Sequence, residues 1–397
     1  MSTSNQNYQR EVIVVRYSEQ SAFTETYGFS GSQGLVAIEG QRLYRPEVAA
    51  DTVYLFMHPS STLHLLPMPT ALASAGFHVL CAASRYPKND SALIMEKVAI
   101  DLGAWVRWAR ETAGYKKVVL VGWSGGGSLS LFYQAQAEQA TVTHTPAGDP
   151  VDLVAANLPA ADGLIFIAAH LSRAETLTEW LDPSVLDESH PDNRDIELDI
   201  YSPQCPFKAP FDAVFVKRFR QAQVDRNRRI TQWCQQMLAR LQEKDDPEVE
   251  RAFIVHRTMC DPRWIDTNLD PNGRVANHCY LGDPRVVNVG PAGLARFSTC
   301  RSWLSQWSFD LSNAKGPANA ARIRNTPVIQ IVNQADDAVP ATHNPAIRDA
   351  LATSDKTYVE IAGATHYYSN QPEQMAQCIS AVRTWSEKCD FSIGEVS

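Results

Sequence analysis

The eight cysteines of this 397-residue chain (Cys81, Cys205, Cys234, Cys260, Cys279, Cys300, Cys378 and Cys389) include no C-x-x-C pair and follow no regular spacing. That removes the basis for a zinc site or a disulfide framework, and reduced, mostly buried thiols are expected instead. No apolar run approaches the roughly 20 residues that span a bilayer. The first ten residues, Met1 to Arg10, are polar and lack the apolar centre of a secretory signal, so the cytoplasm is the expected compartment. An excess of positive charge is also missing. Lys and Arg number 36 against 44 Asp and Glu, and the net charge of -8 disfavours a nucleic-acid partner, which would need clustered cations to neutralise phosphate. The densest basic stretch, Arg218 to Arg229, is interleaved with polar residues and reads as a solvated helix face. The expected partner is a small-molecule substrate, with no nucleic acid and no membrane. A homodimer is the ordinary state of such a protein.

What is present belongs to a globular protein: 44% apolar and 20% charged residues leave enough side chain for a large core. Six short runs rich in Val, Ile, Leu and Phe read as buried parallel strands: Val53–Met57, Phe77–Ala82, Lys117–Gly122, Gly163–Ala168, Pro327–Val332 and Thr357–Ile361. Residues 11–16 and 34–44 form a candidate leading antiparallel pair. Helical periodicity over Ala92–Thr112, Ser128–Glu138 and Pro372–Glu387 alternates with these runs, the signature of a doubly wound, mostly parallel α/β sheet. Between Ala169 and Thr326 no comparable strand occurs. That interval carries the stripe Ile230, Trp233, Cys234, Met237, Leu238 and Leu241, and reads as packing rather than a cofactor site. The expected organisation is a core of residues 1–169 and 326–397, with residues 170–325 inserted as a mainly helical cap.

One serine stands among glycines. Gly122-Trp-Ser-Gly-Gly126 fits G-x-S-x-G where a strand turns into a helix, and the strand–turn–helix context gives that spacing mechanical meaning. A sharp turn forces the serine into strained dihedrals, and glycine on both sides relieves the crowding. The competing reading, a phosphate-binding loop, fails for want of the P-loop lysine and of G-x-G-x-x-G. A serine hydroxyl needs a base, and the base needs an orienting acid. Asn333-Gln-Ala-Asp-Asp-Ala-Val-Pro340 and Ala362-Gly-Ala-Thr-His-Tyr-Tyr368 supply both just beyond strand ends, where open α/β sheets gather ligands. His366 is the candidate base for Ser124, with Asp336 as its acid. Taken singly, His366 could be a core histidine and Asp336 or Asp337 a turn residue; three matches in order argue against coincidence.

On these residues the chain resembles serine hydrolases of the α/β-hydrolase fold, whose nucleophile, acid and histidine occur in this order. The family pattern D-x-x-V-P matches Asp336-Asp-Ala-Val-Pro340 and selects Asp336 over Asp337, and G-x-x-H matches Gly363–His366. The resemblance covers residues 50–170 and 326–390 and leaves the cap unassigned. It implies an oxyanion hole formed by the amide of Gly125 and by the loop His58-Pro-Ser-Ser-Thr62. Relatives carry His-Gly there; Pro59 has no N–H, so Ser60 is the expected donor, with Ser61 second. His58 reads as a buried, satisfied histidine rather than a loop-orienting one, and Arg85 and Asp90 as a structural turn and helix cap. No metal or organic cofactor is implied. The expected reaction is hydrolysis of a carboxylic ester or lactone of a medium-sized, partly apolar substrate through an acyl-enzyme. Carbon–carbon bond hydrolysis of a β-diketone or ring-fission product, and a catalytically inactive ligand-binding protein, are the alternatives.

Overall fold

The computed structural model describes residues 7–19, 35–243 and 248–391. Its centre is an eight-stranded sheet in the order β1-β2-β4-β3-β5-β6-β9-β10. The strands are β1 (Gln9–Ser18), β2 (Leu35–Tyr44), β3 (Thr52–Met57), β4 (Val79–Ala82), β5 (Lys117–Ser124), β6 (Gly163–Ala169), β9 (Val328–Asn333) and β10 (Lys356–Ile361). β2 runs antiparallel to both β1 and β4, and the remaining pairs are parallel. Each expected strand lies within two residues of its observed limits at either end, apart from Gly34, which falls outside the described residues.

The central strands are apolar along their whole length because both faces are covered. Alternate residues go to opposite layers: Val53, Leu55, Val118, Leu120, Leu164 and Phe166 face one apolar cluster, while Tyr54, Phe56, Val119, Val121, Ile165 and Ile167 face the other. The first layer is closed by the helices Met95–Arg107 and Gly125–Glu138, the second by Pro67–Ser74 and Pro372–Lys388. Burying each such side chain contributes about 1.5–3 kcal/mol, so these two layers hold the strand ends in place. All eight cysteines are free thiols and seven are buried.

The long interval between β6 and β9 builds a helical mass over the carboxyl edge of the sheet. Its main element is the helix Ala213–Glu243. Ile230, Cys234, Met237, Leu238 and Leu241 bury one side of it against Trp303, Leu304 and Trp307. Trp233 departs from the expected stripe: it stays 37% exposed and meets Phe253 edge-on. A two-stranded ribbon, β7 (Ala252–Ile254) with β8 (Phe297–Thr299), lies beside the helix. The last part of the interval leaves the cap, since Ala314, Ala320 and Ile323 join the core layer that contains the helix Gly125–Glu138.

The basic stretch on the long helix is not uniformly solvated, which corrects the expectation. Arg226 is fully buried. Its guanidinium meets both Glu188 oxygens at 2.8 and 2.7 Å and donates to the carbonyls of Asp182, His256 and Arg257 at 2.8, 2.6 and 3.2 Å. A charge is tolerated there because every donor direction has an acceptor. Replacing it leaves those acceptors dry and unpaired. Arg226→Met is therefore expected to destabilise the protein by about 2–4 kcal/mol, discounted because Glu188 keeps some solvent. Arg228→Met, which breaks an exposed pair with Asp310 and a contact over the Phe309 ring, should cost about 1 kcal/mol or less. Equilibrium urea unfolding followed by tryptophan fluorescence compares the two.

Candidate active site

Three strand ends deliver three side chains to one rim. β5 ends at Ser124, and the following helix begins at Gly125 with no intervening residue. Ser124 has φ 54° and ψ -126°, a region that L-residues rarely occupy. The surroundings explain why glycines flank it. A Cβ on Gly122 would lie 2.8 Å from Gly127 Cα, and one on Gly126 would lie 2.5 Å from the carbonyl oxygen of Met57. The pairing of β5 with β6 also shifts register between Trp123 and Ser124, so the hydroxyl is lifted out of the ladder.

The acid and the imidazole follow the last two parallel strands, β9 and β10. Beyond β9, Asp336 Oδ1 accepts from the amides of Ala338 and Val339, both at 2.8 Å, and Oδ2 lies 3.0 Å from His366 Nδ1. Asp337 turns elsewhere and pairs with His278 at 3.1 Å; burial, then its neighbour Asp336, raises its pKa. Beyond β10, His366 Nε2 lies 3.2 Å from Ser124 Oγ. The two loops are tied together by Asn333 Nδ2 donating to Thr365 O at 2.8 Å and by the Ala335 amide donating to Ala364 O at 2.9 Å. Trp123 lies against the imidazole with ring centroids 4.7 Å apart. A carboxylate on Nδ1 keeps the proton there, so the lone pair on Nε2 faces the hydroxyl. The arrangement can take a proton from Ser124.

The segment between β6 and β9 bears directly on this rim. Asn272 Nδ2 donates to the carbonyl of Asp336 at 2.6 Å, and Trp264 Nε1 to that of Asp337 at 2.9 Å. Below it opens a cavity of about 470 Å³ containing Ser124 and Gly125. Its aromatic wall is Trp123, Trp180, Tyr280 and Tyr367, and its polar wall includes His58, His170 and Arg173. Arg173 is buried, donates to Gln306 and to Asp90 Oδ2, and stacks over Trp307 at 4.3 Å. Asp90 is thus an ion-pair partner rather than the expected helix cap, whereas Arg85 pairs with Asp101 in a structural contact. His170 and Arg173 were not singled out from the sequence. Both follow the carboxyl end of β6, the same positional signal that located His366 and Asp336.

The loop of the expected second oxyanion donor, Ser60, has an internal hydrogen-bond arrangement. The amide of Ser60 donates to His58 Nδ1 at 3.2 Å, and the amide of Ser61 donates to the same nitrogen at 3.0 Å. Both residues line the cavity, and both amides are engaged by that ring nitrogen. Among the described residues no group of three or more His, Cys, Asp or Glu converges as a metal site, and no helix is long and apolar enough to cross a membrane.

A family model described as alpha/beta hydrolase fold matches residues 62–161. Among solved structures, the α/β-hydrolase GrgF from Penicillium sp. sh18 is similar over 96% of this chain and 100% of its own, with 11% identity and a TM-score of 0.52. The siderophore hydrolase EstB from Aspergillus fumigatus is similar over 89% of this chain and 95% of its own, with 13% identity and a TM-score of 0.48. No curated protein matches the chain in sequence. The chain has the α/β-hydrolase fold: the strand order, the serine turn and the matched segment agree on it.

Two cavity histidines make stability depend on pH. Burial, reinforced by Arg173 for His58 and by His343 for His170, holds both imidazoles well below the usual 6.5. In the unfolded chain they protonate near 6.5, so below that pH the unfolded state binds more protons and stability falls as pH falls. Each histidine contributes up to about 1.4 kcal/mol per pH unit in that window. Urea midpoints taken between pH 7.5 and 5.5 should therefore decline, and His170→Asn should decline less steeply than the wild type; equal slopes would contradict the assignment.

Proposed function

We propose that this protein is a serine hydrolase that cleaves a carboxylic ester or lactone of a medium-sized, partly apolar substrate through an acyl-enzyme. The observation that carries the reading is the unbroken line from Ser124 Oγ to His366 Nε2 at 3.2 Å and from His366 Nδ1 to Asp336 Oδ2 at 3.0 Å. Ser124 Oγ attacks the scissile carbonyl carbon while His366 takes its proton. The C–O bond to the leaving alcohol then breaks as His366 returns that proton to the departing oxygen. Water, deprotonated by the same imidazole, attacks the acyl-serine, and the carboxylic acid leaves with Ser124 regenerated. Asp336 stays ionised throughout and holds the imidazole in its productive tautomer. The amide of Gly125, at the start of a helix, serves in this reading as a donor to the developing oxyanion.

The cavity supports this choice of substrate class. A volume of about 470 Å³ lies in the range of small-molecule sites, and four aromatic rings line it. These favour a substrate with a flat or apolar acyl or alcohol portion, and Arg173 and His170 add a polar contact on one side.

The test is a panel of p-nitrophenyl esters and lactones. The wild type should turn over at least one member. Asp336→Asn should lower kcat by about 10⁴-fold and Ser124→Ala by at least as much. Turnover surviving Ser124→Ala, or a folded wild type inert on the whole panel, overturns the reading.

A further inference from the structure

The geometry points to the side chain of His58, rather than the amide of Ser60, as the second hydrogen-bond donor to the oxyanion. This rests on the hydrolase reading above and deepens it. The first observation is the pair of backbone amides converging on His58 Nδ1, from Ser60 at 3.2 Å and Ser61 at 3.0 Å. A nitrogen that accepts two N–H groups carries no proton, so in the neutral ring the proton sits on Nε2. Burial and the neighbouring guanidinium of Arg173 keep the ring neutral. A neutral ring held in this tautomer is a donor with a fixed direction.

The second observation is where Nε2 lies. A Cβ built on Gly125 would stand 2.6 Å from it. By covalent geometry that Cβ position is about 2.5 Å from the amide nitrogen of the same residue. Nε2 and the Gly125 amide are therefore separated by no more than about 5 Å, and two donors that close can both reach one oxygen at about 2.9 Å. His58 lines the same cavity as Ser124 and Gly125, and no protein acceptor for Nε2 is found among the described residues. Nη1 of Arg173 would lie 3.4 Å from the same Cβ position, which adds positive potential on that side.

The third observation explains two sequence features at once. In G-x-S-x-G the residue after the serine need not be small, yet here it is Gly125, and any side chain at that position would displace the imidazole. Pro59 removes an amide from the loop, and the following two amides are committed to orienting His58. The loop thus spends its N–H groups on a side chain that presents one in their place. During the reaction no proton leaves His58: Nε2–H donates to the tetrahedral oxygen as negative charge develops and is released when the carbonyl re-forms.

Two variants and one spectroscopic measurement test this. On an ester the wild type hydrolyses, His58→Phe should lower kcat by about 10²–10³-fold with KM changed less than about threefold, the loss typical of one oxyanion donor. His58→Gln, which keeps an N–H on a more flexible arm of similar reach, should recover at least about tenfold of that loss. Because His58→Phe could fold poorly, ¹⁵N-histidine-labelled wild type is also treated with a trifluoromethyl ketone, whose hemiketal on Ser124 carries the oxyanion. The Nε2–H resonance of His58 should move downfield on adduct formation. A wild type that forms the adduct with this resonance unmoved, or a folded His58→Phe that keeps kcat within about threefold, overturns the assignment while leaving the hydrolase reading intact. A folded wild type that forms no adduct and hydrolyses no ester overturns the hydrolase reading, and this assignment with it.

Discussion

Everything at the candidate site depends on one strained turn. Ser124 sits at φ 54°, in a conformation that costs on the order of 1–3 kcal/mol and persists only where the surroundings over-determine it. The surroundings leave no room for side chains at the glycines: a Cβ on Gly126 would meet Met57 O, one on Gly122 the Cα of Gly127, and one on Gly127 the Cβ of Ala169. The two apolar layers that clamp β3, β5 and β6 supply the free energy that holds these backbones together. A hydroxyl so placed cannot retreat into the ladder, and it meets an imidazole whose own loop is pinned to β9 through Asn333 and Ala335.

The electrostatic design of the rim separates fixed charges from neutral rings. Arg173 is balanced by Asp90, and Arg263 by Glu179 and Asp261, with the guanidinium groups largely buried. His58 and His170 line the cavity with Arg173, and burial, reinforced for His58 by the Arg173 guanidinium, holds both pKa values down. Neutral imidazoles beside a buried guanidinium can donate hydrogen bonds without adding charge that would have to be solvated. The cap contributes to this arrangement directly, because Arg173 stacks on Trp307 and shares Gln306 with the segment that precedes the return to the core.

Much of this was legible in the sequence, and the exceptions share a cause. Runs such as Gly163–Ala168 are apolar on both faces, so they read as buried strands without knowledge of their neighbours. Ser124, Asp336 and His366 were recoverable because each lies just past such a run. Arg226 was misread as solvated because its acceptors are remote in the chain: Glu188 lies 38 residues earlier, and the remaining acceptors are carbonyl oxygens, which leave no mark on composition. That the Ser60 amide meets His58 Nδ1 could not be read from the sequence, because the direction of an amide N–H depends on loop dihedrals that residue types do not specify. Tyr280 reached the cavity wall from a turn-rich piece of the cap with no periodicity to place it.

The role of Ser124 as nucleophile is most directly measured by covalent capture. Intact protein treated with a fluorophosphonate should gain a single phosphonyl group, and peptide mass spectrometry should place it on Ser124, with labelling slowed strongly in His366→Ala. A folded wild type that takes up no label, or label found on another residue, would contradict it.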